Sequence, residues 1–111
     1  MNIYDTANRL ASEIKSSEEY ANYKMAREVL NLRPELKEEL AKFEQIRYEV
    51  QIEQMQTGKI DEEKMKKMQE IYAEIIQIDE IKKYFDSEIK FNVILADVNK
   101  IISDAVKDLV K

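Results

Sequence analysis

The sequence predicts an all-α protein, an elongated antiparallel bundle of about five helices that ends in a long C-terminal helix. Glycine and proline occur once each in 111 residues, so the chain lacks the turn residues that a strand-rich fold needs. Apolar residues recur at steps of three and four, which is the spacing of one helix face. From Glu80 onward neither glycine nor proline interrupts this pattern. Together these observations predict long helices joined by short turns.

The first two helices are predicted over residues 3–15 and 17–31. The first has a single narrow apolar stripe, typical of a helix that lies on a larger body. Ser16 and Glu19 fit a capping box for the second helix, because the serine oxygen accepts from a free backbone N–H and the glutamate reaches back. The second helix ends before Pro34, since the residue preceding a proline disfavours the helical conformation.

A helical hairpin is predicted next, with helix 3 over residues 34–56 and helix 4 over residues 62–77. Pro34 suits the first turn of helix 3, and Gly58 provides a left-handed cap at its end. Asp61 is a favourable N-cap for helix 4. The short loop requires the two helices to be antiparallel. The expected core stripe of helix 3 consists of Leu36, Leu40, Phe43, Ile46 and Val50.

Helix 5 is predicted over residues 80–110, with Asp79 as its cap. Its apolar line continues almost to the end of the chain. With no linker or repeat evident, residues 1–111 are predicted to form a single helical domain. The apolar line of helix 5 consists of Phe91, Leu95, Val98, Ile102, Ala105 and Leu109.

The residue types that are missing restrict the chemistry. Cysteine and histidine are absent, so disulfides, thiolate sites and the commonest general base are excluded. We therefore expect no cofactor, no metal site and no enzymatic activity. The paired glutamates are interpreted as solvated side chains in first turns or on polar faces. These pairs are Glu18-Glu19, Glu38-Glu39 and Glu62-Glu63.

The net charge and the hydropathy pattern limit the partners and the location. A net charge of −5 disfavours direct binding to a nucleic-acid phosphate backbone. The sequence has no run of 18 apolar residues and no signal peptide, so we expect no membrane insertion and a cytoplasmic location.

Helices 3 and 5 carry more apolar surface than one neighbouring helix covers. Because exposed apolar rows are costly, we expect a homodimer, with a possible further protein partner. The alternative is that helices 1 and 2 cover these rows. The methionines among the candidate interface residues could instead fill the core. The side chains of Tyr20, Tyr23 and Tyr84 are compatible either with burial within the monomer or with contact to a partner. The candidate interface residues are Phe85, Ile89, Val93, Tyr48, Ile52, Met55, Met65 and Met68.

Several segments along the chain carry a resemblance to a known family. These segments are Ile3-Tyr4-Asp5-Thr6-Ala7, Leu10-Ala11, Ser17-Glu18-Glu19-Tyr20, Tyr23, Pro34-Glu35-Leu36, Thr57-Gly58-Lys59 and Leu95-Ala96-Asp97-Val98-Asn99-Lys100-Ile101-Ile102. They are helix faces and turns rather than catalytic motifs. In these segments, and over nearly its whole length, the chain is similar to the YlbF/YmcA/YheA proteins of Gram-positive bacteria, in particular to the YheA-like branch.

The resemblance implies an all-helical, usually dimeric, cytoplasmic protein with a regulatory role. The better-known members act in competence, sporulation and biofilm formation, through a complex that influences RNA processing by the membrane-anchored ribonuclease Y. Those members are linked to iron–sulfur clusters through cysteines. This chain has no cysteine, so that property does not carry over.

Two functions remain open at this point. The first is a protein-interaction regulator that acts by docking. The second is an accessory factor in RNA processing that contacts RNA or a ribonuclease through the basic patch of Lys64, Lys66 and Lys67 on helix 4. Interleaved glutamates favour ordinary ion pairing for that patch. Asp97 and Asn99 interrupt the apolar part of helix 5, and Asp97 either pairs across a helix interface and fixes its register or faces water.

Overall fold

The computed structural model describes residues 2–109, and within this range the chain is all-α, with five helices and no strand. The predicted fold class, including the long C-terminal helix, is confirmed. The helices are α1 (Ile3–Lys15), α2 (Glu18–Asn31), α3 (Pro34–Thr57), α4 (Glu62–Ile75) and α5 (Asp79–Val106).

The turn between α1 and α2 differs from the prediction by one residue. The hydroxyl oxygen of Ser17 accepts from the backbone N–H of Tyr20 at 3.1 Å, so Ser17 is the residue that caps α2. Ser16 instead closes α1 through its backbone N–H. The predicted capping box of Ser16 and Glu19 is therefore wrong. Ser16 and Ser17 have the same side chain, so either could cap α2, and the local sequence does not show which of them does.

The hairpin between α3 and α4 has the two caps that were predicted. Gly58 adopts the left-handed conformation with φ 72°, and its N–H donates to the Gln54 carbonyl at 2.8 Å. The Asp61 carboxylate accepts from the backbone N–H groups of Glu63 and Lys64, at 2.9 and 3.4 Å. Both helix ends are thus satisfied within four residues of chain, which holds the turn tight.

The ends of α4 and α5 differ slightly from the prediction. Helix α4 ends at Ile75, two residues earlier than expected. Asp79 is the first residue of α5 rather than the residue before it, and its carboxylate pairs with Lys83 at 3.2 Å. Helix α5 ends at Val106, followed by turns over residues 107–109. Residue 110, the predicted end, lies outside the described residues.

The chain divides into two compact units. Unit 1 comprises Met1–Ala26 and Tyr84–Lys111, of which residues 2–26 and 84–109 are described, and unit 2 comprises Arg27–Lys83. Helices α2 and α5 each contribute residues to both units.

Unit 2 is built on the hairpin. The Lys64 ammonium lies 3.0 Å from the Glu53 carboxylate, and the rings of Phe43 and Tyr72 lie 5.5 Å apart, so α3 and α4 are antiparallel. All but one of the predicted core residues of α3 are buried; Leu40 is half-buried. The buried apolar residues of unit 2 are Leu30, Leu36, Phe43, Ile46, Val50, Ile75 and Ile81.

Unit 1 has far less interior. The Tyr20 ring lies 5.8 Å from Phe91 and the Tyr23 ring 5.6 Å from Tyr84, so the start of α2 runs antiparallel to α5. Helix α1 contributes no buried residue. Among the described residues of unit 1, the buried ones are Tyr84, Phe85 and Ser87.

Candidate interaction surfaces

The three predicted interface residues of α5 separate into two environments. Phe85 is only 4% exposed and its ring packs against Tyr84 at 5.4 Å, so the chain itself covers it. Ile89 is 56% exposed, and Val93 is exposed to a similar extent. Phe85 belongs to the short part of α5 that is buried inside the chain, where regularly spaced apolar residues pack against other residues of the same chain. Ile89 and Val93 remain available to a partner.

The predicted residues of unit 2 lie on both helices of the hairpin. Tyr48 and Met55 are exposed on α3, with Met55 82% exposed, and Ile52 between them is half-buried. On α4, Met65 and Met68 are half-buried. Tyr48 and Met55 lie on the side of α3 opposite its buried stripe, because they are offset from that stripe by roughly half a turn.

The most exposed apolar row of unit 1 lies along the apolar line that the sequence predicts for helix 5. Its members follow the half-buried Phe91, Leu95 and Val98 at helical spacing, yet they are exposed; Leu109 reaches 88% and Ile102 55%. We call the row the distal stripe. It consists of Ile101, Ile102, Val106 and Leu109.

Along α1, too, the apolar side chains change from half-buried to exposed, here toward the start of the helix. Leu10 and Ile14 are half-buried, whereas Ile3 and Tyr4 at the beginning of the helix are exposed. Neither residue was predicted as part of an interface. Apolar spacing alone identifies the face of α1 but gives no signal that its first turn is uncovered.

Several aromatic residues of unit 1 pack together, and two of them share a hydrogen-bond acceptor. The hydroxyl groups of Tyr23 and Tyr84 both donate to one carboxylate oxygen of Glu88, at 3.2 and 3.3 Å. The Tyr20 and Tyr23 rings each lie 5.8 Å from the Phe91 ring. These tyrosines are therefore used within the chain, which decides one of the alternatives that the sequence leaves open. The shared carboxylate links Tyr23 of α2 to α5.

The basic patch of α4 is partly neutralised. The ion pair of Lys64 with Glu53 raises the pKa of the lysine, chiefly through the hydrogen bond and then through the negative charge. Lys66 and Lys67 are exposed, as are Glu62 and Glu63 one turn earlier. The patch thus presents two lysines beside two glutamates.

A broad groove of about 520 Å³ lies between α3 and α4. Its lining mixes both signs of charge, with Glu38, Glu49 and Lys67 among its residues, and it includes no serine or threonine hydroxyl. Across residues 2–109, no set of three carboxylates converges in a way that would hold a metal ion. The lining of the groove thus offers carboxylates and lysine ammonium groups but no hydroxyl group.

Two remaining features complete the surface. Asp97 and Asn99 are both exposed on α5, so within one chain they face water. None of the helices described here combines the length and the apolar character that crossing a bilayer demands.

Comparison with known proteins gives a consistent result. Residues 3–107 match the family model described as control of competence regulator ComK, YlbF/YmcA. A UPF0342 protein of Clostridium novyi is 34% identical over 109 residues, covering 97% of this chain and 95% of the relative. A UPF0342 protein of Symbiobacterium thermophilum is 33% identical, covering 94% and 93%. One from Pediococcus pentosaceus is 32% identical, covering 100% and 97%.

Proposed function

The chain belongs to the YlbF/YmcA family, and we propose that it is a non-enzymatic regulator that acts in the cytoplasm as a homodimer by docking to proteins. The resemblance recognised in the sequence is confirmed by the family match. Membership implies a role related to competence regulation, which is the function that the family description gives. The resemblance to regulators of sporulation and biofilm formation extends the proposal to those processes.

The proposal rests on one observation, which is that very few of the described residues of unit 1 are buried. Helix α1 buries no residue, and between Ser87 and position 109 no further residue of the chain is buried. Burying an apolar side chain of this size fully stabilises a protein by about 1.5–3 kcal/mol. The exposed rows do not contribute this stabilisation within a single chain. Contiguous exposed apolar surface marks an interaction site. A second copy and a protein partner supply the missing cover.

We assign the docking of a protein partner to those predicted interface residues that are exposed in the structure. Ile89 and Val93 provide one apolar edge on α5, and Tyr48 and Met55 provide another on α3. Half-buried Ile52, Met65 and Met68 border the second edge on the hairpin. Methionine and tyrosine suit such surfaces, because one repacks easily and the other joins an apolar ring to a polar tip.

Light scattering coupled to gel filtration tests the homodimer. The chain has a mass of 13.2 kDa, and we expect twice this mass at micromolar concentration. Affinity purification from the native cells, read by mass spectrometry, tests the docking role. A partner retained by the wild type should be lost with Tyr48→Glu and Met55→Glu, while Lys42→Glu, on the same helix, serves as the control. A monomer with no partner that depends on these residues would refute the proposal.

A second candidate function rests on Lys66 and Lys67, which are exposed on α4. In this alternative the chain is an accessory factor in RNA processing that contacts RNA or a ribonuclease through these lysines. Such binding should weaken steeply with salt and should fall on Lys66→Glu with Lys67→Glu. Filter binding of labelled RNA between low and physiological salt measures it. The net charge of −5 opposes this alternative.

A further inference from the structure

We infer that a second copy of this chain covers the distal stripe, which lies at the end of α5 and in the turn after it, so that the two α5 ends pack on each other across a twofold axis. The inference rests on the proposed homodimer and gives its location. It differs from the sequence prediction, which placed the interface around Ile89, Val93 and the hairpin residues.

The first argument is the continuity of the stripe. Phe91, Leu95 and Val98 are half-buried in the chain, and the same line then continues into the exposed distal stripe. A helix face that is covered along one half and open along the other needs a second element of similar shape. In a twofold dimer each copy presents the same patch, so one stripe covers the other.

The second argument is area. The four residues of the distal stripe expose between 45% and 88% of their surface, and Ile3 and Tyr4 of α1, in the same unit, expose 77% and 75%. With roughly 150 Å² for each of these large side chains, about 600 Å² of apolar surface is open. A stable interface takes about 800 Å² from each partner, and the four residues of the distal stripe alone open about 400 Å² of it.

The third argument is charge. The polar residues beside the stripe have both signs, with Lys100 and Lys107 opposed by Asp104 and Asp108. Lys100 and Asp104 already pair at 3.1 Å within the chain. A flank of one sign would repel its own copy, whereas a balanced flank allows self-association.

A matched pair of substitutions tests the location. Ile102 and Ile89 lie on the same helix and are 55% and 56% exposed, but only Ile102 belongs to the distal stripe. Because a symmetric dimer carries each substitution twice, Ile102→Glu should weaken dimerisation by about 100-fold or more. Ile89→Glu should change it by less than about threefold. Analytical ultracentrifugation measures both, and circular dichroism checks that both variants are helical.

Cross-linking gives a second measurement that does not depend on destabilising the dimer. The chain has no cysteine, so Ile102→Cys and Ile89→Cys each introduce the sole thiol. With a short bismaleimide we expect covalent dimers from Ile102→Cys and few from Ile89→Cys.

The outcomes separate the two levels of the proposal. A wild-type dimer that tolerates Ile102→Glu, or that cross-links preferentially through Ile89→Cys, would overturn the assigned location and leave the homodimer standing. A wild-type monomer would refute the homodimer itself.

Discussion

Replacing Gly58 should destabilise the protein through its backbone alone. Gly58 has φ 72°, and a Cβ placed on it would meet no atom within 4 Å, so the methyl group of an alanine there encounters no steric clash. A residue with a Cβ loses about 1–2 kcal/mol in the left-handed conformation. Alanine recovers about 0.4–1 kcal/mol of this, because it reduces the entropy of the unfolded chain. We therefore expect Gly58→Ala to lower the free energy of unfolding by about 1 kcal/mol.

Asparagine provides the comparison that isolates the cause. Asn adopts the left-handed conformation more readily than Ala, so Gly58→Asn should cost roughly half as much. Lys59→Ala, at the next position, is the control and should stay within about 0.5 kcal/mol of the wild type. Urea unfolding followed by far-ultraviolet circular dichroism measures all four proteins, at one fixed protein concentration because dimers are stabilised by mass action. Equal stability of Gly58→Ala and the wild type would refute the reasoning, and so would a larger loss for Asn than for Ala.

Two further predictions concern a carboxylate at a helix start and the centre of unit 2. A hydrogen bond from its own backbone N–H, followed by the Arg33 side chain, lowers the pKa of Glu35 below its ordinary value of 4.5. Its contribution to stability is therefore present above that value and disappears as the pH falls through the lowered pKa, so Glu35→Gln should flatten the acid side of the stability–pH profile. An unchanged profile from urea titrations would contradict this. Ile81 is 0% exposed, so Ile81→Val should cost about 0.5–1.5 kcal/mol and Ile81→Ala about 2–5 kcal/mol, and equal losses for the two variants would argue against a tightly packed site.

Turn chemistry made the hairpin predictable from sequence. Gly58 and Asp61 are residue types whose backbone preference and side-chain acceptor determine the end of one helix and the start of the next. The turn before α2 was less determined, because Ser16 and Ser17 offer equivalent hydroxyl groups. The core stripe of α3 followed from spacing alone, since the hairpin partner covers one face of it.

What covers an apolar face is not determined by its spacing. Phe85 and Ile102 both occur in apolar rows of α5, yet one is 4% and the other 55% exposed. The difference depends on which other segments of the chain reach each part of the helix, and that is a tertiary property. For this reason the sequence predicted an excess of apolar surface but placed Phe85 among the candidate interface residues and did not single out the distal stripe.

The tyrosine cluster has a consequence for how unfolding is observed. The chain has six tyrosines and no tryptophan, so its near-ultraviolet emission comes from tyrosine. Tyr20, Tyr23 and Tyr84 lie in unit 1 within 6 Å of another aromatic ring, and Tyr72 lies 5.5 Å from the Phe43 ring in unit 2, whereas Tyr4 and Tyr48 are exposed. Intrinsic fluorescence therefore follows unit 1 through three packed tyrosines and unit 2 through Tyr72, while backbone dichroism reports on the helices of both units.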